Sequence, residues 1–343
     1  MAKAYADGNL KYGVIGGGVQ GEMHVKCVAS ANNATLVAIA DLNRERAQRL
    51  ADAHRPCKVF GDYRELLALD EIEAVSIVLP DHLHRQACED AFAAGKHVLV
   101  EKPLATTVKD AEAIVAAQKA SGKTLMVNWS NRWMHSFAQT KDALEKGDLG
   151  KPLYVYARLN NTLYVPTKML SWAANTRLPY WLICHRYDLA RWYFKSEAKR
   201  VHAVCRSVKL KSMGIDTPDF YQATVEFKNG CVGNFESCWV LPESMPYMVD
   251  SKFELICTDG YVNIDAALPD FFYANNAKQT NRGILHGEVM GEQVGYVNEA
   301  IKHFINCVLL KRKPLITGHD GLMIAKALAA MVKSADTGKP VDL

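Results

Sequence analysis

The sequence lacks the excess of charge of one sign that marks several classes of binding protein. Its 41 lysines and arginines exceed its 37 aspartates and glutamates by only four, and no dense basic run occurs along the 343 residues. Proteins that bind nucleic acid or acidic membranes carry a concentrated positive patch. We therefore expect neither nucleic acid nor a membrane as a partner.

The sequence also lacks paired cysteines and long apolar runs. Its nine cysteines are scattered, and no two of them form a C-x-x-C pair, so neither a disulfide scaffold nor a structural zinc site is expected. No apolar run reaches the about 18 residues that a membrane span needs. Residues 1–9 lack the pattern of a signal peptide. We expect a metal-free cytoplasmic protein with reduced cysteines.

The length is sufficient for about two domains, at roughly 150 residues each. Over residues 1–127, short β-branched runs alternate with helical patterns, which predicts an α/β domain whose parallel sheet is covered by helices on both faces. Over residues 128–343, strands of period two and the turn pairs Asn229-Gly230 and Asp259-Gly260 predict a largely antiparallel sheet. Helices are predicted over residues 21–31, 131–146, 180–194, 292–310 and 322–334.

A G-x-G-x-x-G motif at residues 16–21 follows the first predicted strand and opens a helix. In such a loop Gly16 permits the tight turn, Gly18 lets the backbone approach a pyrophosphate, and Gly21 lets the helix pack closely on the strand. The N–H groups at the start of the helix attract an anion. The pattern predicts a dinucleotide site that also includes Val19 and Gln20.

An acidic residue, Asp41, ends the second predicted strand twenty residues after Gly21. A carboxylate there would bond the ribose hydroxyls of NAD and repel the 2′-phosphate of NADP. Arg44 lies close enough to weaken that repulsion, so NADP stays open. The alternative is a glycine-rich turn beside an ordinary surface aspartate.

A basic residue, Lys102, follows a buried predicted strand in the segment Glu101-Lys102-Pro103. The carboxyl ends of strands in a doubly wound sheet face the ligand crevice. An ammonium there can stabilise the oxygen of a reacting alcohol during hydride transfer. By physics alone, a lysine in this position is more often a solvated residue at the end of a strand.

These motifs together resemble the glucose–fructose oxidoreductase / inositol dehydrogenase (Gfo/Idh/MocA) family over essentially the whole chain. The resemblance is carried by the glycine loop, Asp41, Glu101-Lys102-Pro103, the Gly-x-Leu-Gly-Lys-Pro segment at 147–152, and Leu79-Pro80 followed by His82 and His84. It implies an N-terminal Rossmann domain with a doubly wound parallel sheet, and a C-terminal α/β domain with a large open, mostly antiparallel sheet.

The resemblance also implies an activity and roles for particular residues. Family members oxidise or reduce a secondary alcohol on a sugar or polyol with NAD or NADP, and their open sheets often pair, so we expect a homodimer or homotetramer. Lys102 falls on the family's catalytic lysine. The other positions that we assign to the cofactor from this resemblance are Leu79, Pro80, His84, Glu101 and Arg132.

The sequence departs from the family at its second catalytic element. Family members carry an aspartate four residues before a histidine on one helix, whereas this chain has Trp181 before His185, with Asp188 after it. Positions 181 and 185 share a helix face. His185 would therefore act with Lys102 without that aspartate, Asp188 would orient its ring, and the indole of Trp181 would stack on a sugar. Alternatively, these are core residues of an amphipathic helix.

Further polar and aromatic candidates lie on the preceding strand and on the long loop after it. Loops that overhang a crevice commonly select the substrate. The candidates are Tyr156, Arg158, Asn160, Trp172, Asn175, Arg177 and Tyr180. For each of them, ordinary packing on the sheet is the alternative. His24, after the glycine loop, either faces the crevice or has a structural role.

The sequence therefore predicts an NAD(P)-dependent sugar or polyol dehydrogenase that acts on a ring hydroxyl between Lys102 and His185. Two alternatives stay open. One is a cofactor-retaining glycosidase, which oxidises a glycoside transiently and yields no net reduced cofactor. The other is a regulator that binds cofactor and sugar without turnover.

Overall fold

The computed structural model describes residues 8–266, 272–274, 279–281, 286–289 and 292–343. The chain forms two compact units. Unit 1 comprises Met1–Trp133 and His286–Leu322, and unit 2 comprises Met134–Leu285 and Met323–Leu343. The predicted domain boundary after residue 127 stays a prediction; the units assign residues 286–322 to the same body as the first sheet.

The strands and helices have the following bounds. The strands are β1 (Leu10–Ile15), β2 (Ala34–Ala40), β3 (Lys58–Phe60), β4 (Ala74–Ile77), β5 (His97–Glu101), β6 (Leu125–Asn128), β7 (Pro152–Asn161), β8 (Ala198–Arg206), β9 (Phe220–Phe227), β10 (Val232–Cys238), β11 (Val249–Cys257), β12 (Tyr261–Asp265), β13 (Phe272–Ala274), β14 (Gln279–Asn281), β15 (His286–Val289), β16 (Glu292–Gly295) and β17 (Val341–Asp342). The α-helices are α1 (Val19–Ala29), α2 (Arg44–His54), α3 (Tyr63–Leu67), α4 (His84–Ala93), α5 (Val108–Ser121), α6 (His135–Lys146), α7 (Cys184–Phe194), α8 (Lys209–Ser212), α9 (Tyr296–Leu309) and α10 (Gly318–Thr337). Short 3₁₀-helices cover Asp81–Leu83, Ser130–Trp133 and Ala173–Asn175, and π-helical turns cover Val165–Met169 and Pro179–Ile183.

Unit 1 contains a six-stranded parallel sheet in the order β3-β2-β1-β4-β5-β6. This is the strand order of a Rossmann fold, and the prediction of a doubly wound parallel sheet is confirmed. The order reverses between β1 and β4, and ligands of such sheets bind beyond the carboxyl ends of the strands at that point. The glycine loop follows β1 and Lys102 follows β5, so both lie at this edge.

The core of unit 1 lies between the sheet and helices α1 and α9. Tyr12 of β1 makes an edge-on contact with Phe304 of α9, with ring centroids 6.2 Å apart. Val25 of α1 and Ile301 of α9 are buried in the same cluster. Burying each such side chain stabilises the fold by about 1.5–3 kcal/mol. This packing holds α1, and with it the glycine loop, against the sheet.

Unit 2 contains a seven-stranded sheet in the order β12-β11-β7-β10-β9-β8-β17. Its described strand pairs are antiparallel except β7 with β10, which is parallel. Helix α7 covers one face, where Tyr187 stacks on Phe227 and makes an edge contact with Phe235. The expectation of a large, mostly antiparallel sheet in a C-terminal α/β domain is confirmed.

Three predicted helices are shortened or interrupted at their N-terminal ends in the structure. The helix predicted over 292–310 begins only at Tyr296, because residues 292–295 form β16 and Gly295 takes a φ of +106°. The helix predicted over 131–146 is a 3₁₀-helix followed by α6, since Met134 between them is extended. The helix predicted over 180–194 begins with a π-helical turn.

Candidate active site

Two of the glycines in the loop after β1 are required by the fold itself. Gly16 takes a φ of +99° and donates its N–H to Ala40 O at 2.8 Å, and a Cβ on it would overlap Val78 O. A Cβ on Gly21 would overlap Gly16 O. Neither position tolerates a side chain, because the turn brings backbone against backbone.

Gly18 differs from these glycines, because within the described residues no atom beyond its chain neighbours lies within 4 Å of the position that its Cβ would take. Gly18 is the N-cap of α1, and no side chain of the described residues forms a capping hydrogen bond there. The first N–H groups of a helix have no partner inside it and attract anions. The space above Gly18 therefore fits a pyrophosphate, which would approach the backbone where a side chain would obstruct it.

Apolar side chains flank this open space. Among the described residues, the two most exposed large apolar side chains are Leu42, at 94%, and Val19, at 73%. One follows Asp41 directly and the other follows Gly18. Gln20 is also exposed. A nucleotide lying from Gly18 to Asp41 would cover apolar surface that is otherwise in water.

Asp41 is fixed beside the glycine loop by hydrogen bonds. Its Oδ2 accepts from Gly17 N at 2.6 Å, and its Oδ1 accepts from Asn43 N at 2.7 Å. The guanidinium of Arg46 contacts both carboxylate oxygens, at 2.7 and 3.0 Å. The carboxylate of Asp41, at 8% exposure, is thus pre-oriented beside the glycine loop, and its contact with a ribose hydroxyl stays a prediction.

Sequence reasoning missed Arg46, and its assignment of Arg44 to the cofactor stays a prediction. Arg44 is exposed, and the ion pair with Asp41 belongs to Arg46. Asn43 caps α2 by accepting from Arg46 N, which brings residue 46 back toward the end of β2. An asparagine at an N-cap position is the sequence signal that could have identified Arg46.

Lys102 follows β5 at the carboxyl edge of the sheet and is half-buried. Its backbone N–H donates to the carboxylate of Glu101 at 3.2 Å. Glu101 is buried, and its Oε1 contacts His24 and Asn128. His24 is therefore buried on α1 and contacts the residue before Lys102. Asn128 is a partner of Glu101 that the sequence did not indicate.

His84 lies between the two loops that carry the predicted cofactor residues. Its ring nitrogens lie 2.9 Å from Leu79 O and 2.9 Å from Pro103 O. Burial lowers the pKa of His84, and the charge of Asp81 opposes this only in part. With its ring fully buried, His84 supports Leu79-Pro80 and Lys102-Pro103 rather than presenting a surface to a ligand.

Arg132, the remaining cofactor candidate of unit 1, is also buried. It lies in the 3₁₀-helix after β6, and its Nη1 donates to Leu315 O at 3.3 Å. Its assignment to the cofactor, like those of Leu79, Pro80, His84 and Glu101, stays a prediction.

In unit 2, His185 lies in the first turn of α7 and is half-buried. Trp181 lies in the preceding π-helical turn, and its indole N–H donates to Asn161 Oδ1 at 3.2 Å. Trp172 packs edge-on against Trp181, with ring centroids 5.6 Å apart and planes at 79°. Both indoles are half-buried. We call this pair of indoles the aromatic corner. Trp181 lies four residues before His185.

Two other candidates on this segment are buried. Asp188 is fully buried on α7, three residues after His185. Tyr180 is 8% exposed, and its carbonyl accepts from the thiol of Cys184 at 3.0 Å. A direct contact of either side chain with a substrate would need a change in exposure, so both fit supporting roles better.

The structure does not bring Tyr156 and Arg158 together with His185. Along β7, Val155, Ala157 and Leu159 are buried, whereas Tyr156 and Arg158 alternate with them on the opposite face. On that face, Tyr156 OH donates to Glu236 at 3.2 Å and Arg158 Nε lies 2.7 Å from Asp250. Because Trp181 bonds to Asn161, whose register places it on the buried face, the sheet separates the two sets.

Arg177 and Asn160 are likewise engaged within unit 2. Arg177 donates to Tyr221 OH and to Asp336, at 3.1 and 2.7 Å. Asn160 donates to Asp250 at 3.2 Å and accepts from Cys238 N at 2.8 Å. These bonds give both residues a role in holding the fold.

The part of the chain that the structure describes contains neither a candidate metal cluster nor a candidate membrane-spanning helix. In these residues no cluster of three or more histidine, cysteine, aspartate or glutamate side chains is arranged to hold a metal ion. None of the described helices combines the length and apolar character needed to cross a membrane.

Two family models match this chain. The first, described as "Oxidoreductase family, NAD-binding Rossmann fold", matches residues 10–129, and the second, "GFO/IDH/MocA C-terminal domain", matches residues 137–263. The chain belongs to the Gfo/Idh/MocA family. The expectations of an oxidoreductase and of NAD as its cofactor are thereby confirmed.

Relatives within the Gfo/Idh/MocA family include inositol dehydrogenases. The chain is 27% identical to the scyllo-inositol 2-dehydrogenase (NAD(+)) of Bacillus subtilis, over 97% of this chain and 96% of that protein. It is 29% identical to the inositol 2-dehydrogenase of Salmonella typhimurium, over 56% of each chain.

Solved structures of similar fold include the scyllo-inositol dehydrogenase of Lactobacillus casei with bound NAD(H) and scyllo-inositol. That likeness has a TM-score of 0.83 at 19% identity, over 97% of this chain and 99% of the other. GenD2 from gentamicin A biosynthesis, in complex with NAD, has a TM-score of 0.85 at 22% identity, over 99% and 98%. At these identities the likeness shows the fold alone.

Proposed function

We propose that this Gfo/Idh/MocA protein transfers a hydride between NAD and a ring hydroxyl or ketone of a sugar, glycoside or polyol. The observation that carries the proposal is in unit 1. The open space above Gly18 and the half-buried Lys102 lie at the same edge of one parallel sheet. The names of the inositol dehydrogenase relatives support the substrate class.

The residues that would hold NAD follow from the geometry of unit 1. The backbone of Gly18 and the first N–H groups of α1 would bind the pyrophosphate. The pre-oriented carboxylate of Asp41 would accept hydrogen bonds from the adenosine ribose. When bound, NAD supplies the carbon that accepts the hydride of the alcohol.

Lys102 and His185 are assigned the work on the substrate hydroxyl. As the carbinol C–H bond breaks, the oxygen becomes a carbonyl and must lose its proton. We assign that proton to a ring nitrogen of His185, while the ammonium of Lys102 stabilises the negative charge that develops on the oxygen. That both side chains act on one hydroxyl is inferred from the sequence pattern. Asp188, buried on the same helix, is assigned to supporting His185.

The aromatic corner of Trp172 and Trp181 is assigned to the apolar face of the substrate ring. The C–H groups of a sugar ring form an apolar surface, and an indole offers a large rigid one at low cost in side-chain entropy. The bond from Trp181 to Asn161 holds its ring in place. An indole also cannot accept the hydrogen bonds that an aspartate would, which favours a glycoside over a free inositol.

Replacing Trp181 with alanine tests this assignment. We expect KM for the best glycoside to rise by about tenfold, with a smaller change in kcat, because the lost contact is made equally in the ground state. A panel of monosaccharides, inositols and glycosides, assayed with NAD and NADP, gives the values. Trp192→Ala, on the adjoining helix α7, is the matched control and should keep KM. Equal effects of the two variants would remove Trp181 from the substrate site.

Replacing Asp41 with alanine tests the choice of cofactor. The variant should lose about tenfold in affinity for NAD and less for NADP, since the carboxylate favours ribose hydroxyls and repels a phosphate. Titration of both nucleotides by calorimetry measures the two dissociation constants. Equal losses would show that Asp41 does not bind the ribose hydroxyls.

Use of NADP by the unaltered protein stays a proposal, as do a homodimeric or homotetrameric assembly and a cytoplasmic location.

A further inference from the structure

A buried chain of hydrogen bonds in unit 1 ends at Glu101, the residue before Lys102. Tyr12 OH lies 3.0 Å from Ser76 Oγ, and Ser76 Oγ lies 2.8 Å from His24 Nδ1. His24 Nε2 lies 3.0 Å from Glu101 Oε1. The four residues come from β1, β4, α1 and β5, and the first three are fully buried. The chain thus joins four elements behind the proposed catalytic lysine.

An ionised Glu101 only accepts, so His24 donates to it from Nε2 whether its ring is neutral or protonated. In a neutral ring, Nδ1 accepts from the hydroxyl of Ser76, and Ser76 accepts from the hydroxyl of Tyr12. In a protonated ring, Nδ1 donates to Ser76 Oγ instead. Every contact of the network is kept in both cases, and a buried network whose members are bonded in this way is rigid.

Glu101 is bonded from three directions. Besides His24, Asn128 Nδ2 donates to Oε1 at 2.7 Å, and the backbone N–H of Lys102 donates to Oε2 at 3.2 Å. Burial alone would raise the pKa of Glu101, but the hydrogen bond from His24, the charge interactions with His24 and Lys102 and the hydrogen bond from Asn128 outweigh it and keep the pKa below its ordinary value. The carboxylate is therefore both charged and held.

We propose that His24 is a positioning residue, which orients the carboxylate of Glu101 and thereby the backbone from which the Lys102 side chain extends. His24 lies on α1, and the first turn of this helix carries the N–H groups that are proposed to bind the pyrophosphate. One helix therefore contacts both the nucleotide loop and the segment that carries Lys102. The role of Lys102 in this inference rests on the proposed function.

The chain of hydrogen bonds fixes the positions of its members and does not carry protons to solvent. Its far end, Tyr12, is fully buried, and burial raises the pKa of its hydroxyl above the ordinary value. A proton passed inward from Glu101 would have no exit at that end. The value of the network is therefore geometric, and a small displacement of a catalytic group can cost about 10²-fold in rate.

Two substitutions at residue 24 separate this role from a general structural one. In His24→Gln, the amide nitrogen can take the place of Nε2 and keep the donor to Glu101. In His24→Asn, the shorter amide reaches only the Ser76 side and leaves Glu101 without that donor. We expect His24→Asn to lower kcat by about 10–100-fold and His24→Gln to stay within about threefold of the unaltered enzyme.

Controls keep the result interpretable. Tyr12→Phe removes the far hydroxyl and should leave kcat within about threefold, because the bonds of His24 remain. Thermal unfolding and the Kd for NAD are measured on every variant. Equal losses of kcat for the Asn and Gln variants, whether folded or unfolded, would overturn the proposal, as would a normal kcat for a folded His24→Asn.

A second readout does not depend on turnover. Acylation of the Lys102 amine by an N-hydroxysuccinimide ester, followed by peptide mass spectrometry, reports the setting of the side chain directly. His24→Asn should change the acylation rate by about threefold or more, and His24→Gln should not. If no substrate is turned over but this difference appears, the proposed function fails and the positioning role stands; equal acylation rates would overturn the positioning role.

Discussion

Replacing Lys102 with alanine should lower kcat/KM by about 10²-fold or more while NAD still binds. The reason is that the ammonium stabilises charge that develops on the substrate oxygen only as the reaction proceeds, so its loss acts on the transition state. Steady-state kinetics on the best substrate of the panel, with calorimetric titration of NAD, measure both parts.

A matched control for Lys102 is available in the same unit. Lys109 is an exposed lysine in the first turn of α5, and Lys109→Ala should leave kcat/KM unchanged. A Lys102→Ala enzyme that stays within about threefold of normal would show that the lysine is only a solvated residue at a strand end, which was the alternative that the sequence left open.

Replacing Gly18 with valine should weaken NAD binding by about 10²-fold or more with little change in thermal stability. Within the part of the chain that the structure describes, no atom beyond the chain neighbours of Gly18 lies within 4 Å of the new Cβ, so the fold accommodates it. The branched side chain would, however, occupy the space in which the pyrophosphate is proposed to bind. Calorimetry gives the Kd for NAD, and a thermal melt of the nucleotide-free protein gives the stability.

Gly21 provides the contrasting substitution. A Cβ on Gly21 would overlap Gly16 O, so Gly21→Ala should lower the melting temperature before any ligand is added. Substitution of Gly18 is thus expected to weaken NAD binding, whereas substitution of Gly21 is expected to lower the stability of the fold. Normal NAD affinity in Gly18→Val would show that the pyrophosphate does not lie over this glycine.

Much of unit 1 could be predicted from the sequence because the signals are local. The turn at Gly16, the start of the helix after Gly18 and the acid at the end of β2 lie within one β-α-β unit, and each depends on its neighbours in the chain. The position of Arg46, which the sequence reasoning did not name, is also decided locally: helix geometry and the cap at Asn43 turn this arginine back to Asp41.

The face of a strand was harder to predict than its existence. Period two shows that Tyr156 and Arg158 share a face of β7, but it does not show which face α7 covers. Packing of Tyr187 on Phe227 and Phe235 decides that, and those contacts join residues far apart in the sequence. The two polar residues consequently lie away from His185.

The network behind Lys102 could not be predicted from sequence spacing. His24, Ser76 and Glu101 are separated from one another by 25 to 77 positions, and each lies in a different element. Only the order of strands in the sheet places them side by side. The buried position of His84 depends in the same way on the two loops that meet around its ring.

The most direct test of the central claim is transfer of deuterium from the reacting carbon. A substrate from the panel, deuterated at its carbinol carbon, is incubated with the enzyme and NAD, and the cofactor is recovered and analysed by mass spectrometry. We predict deuterium on the nicotinamide carbon of the reduced cofactor that the unaltered enzyme forms, and almost none with Lys102→Ala or His185→Ala. Bound NAD that gains no deuterium from any glycoside, sugar or inositol would contradict it.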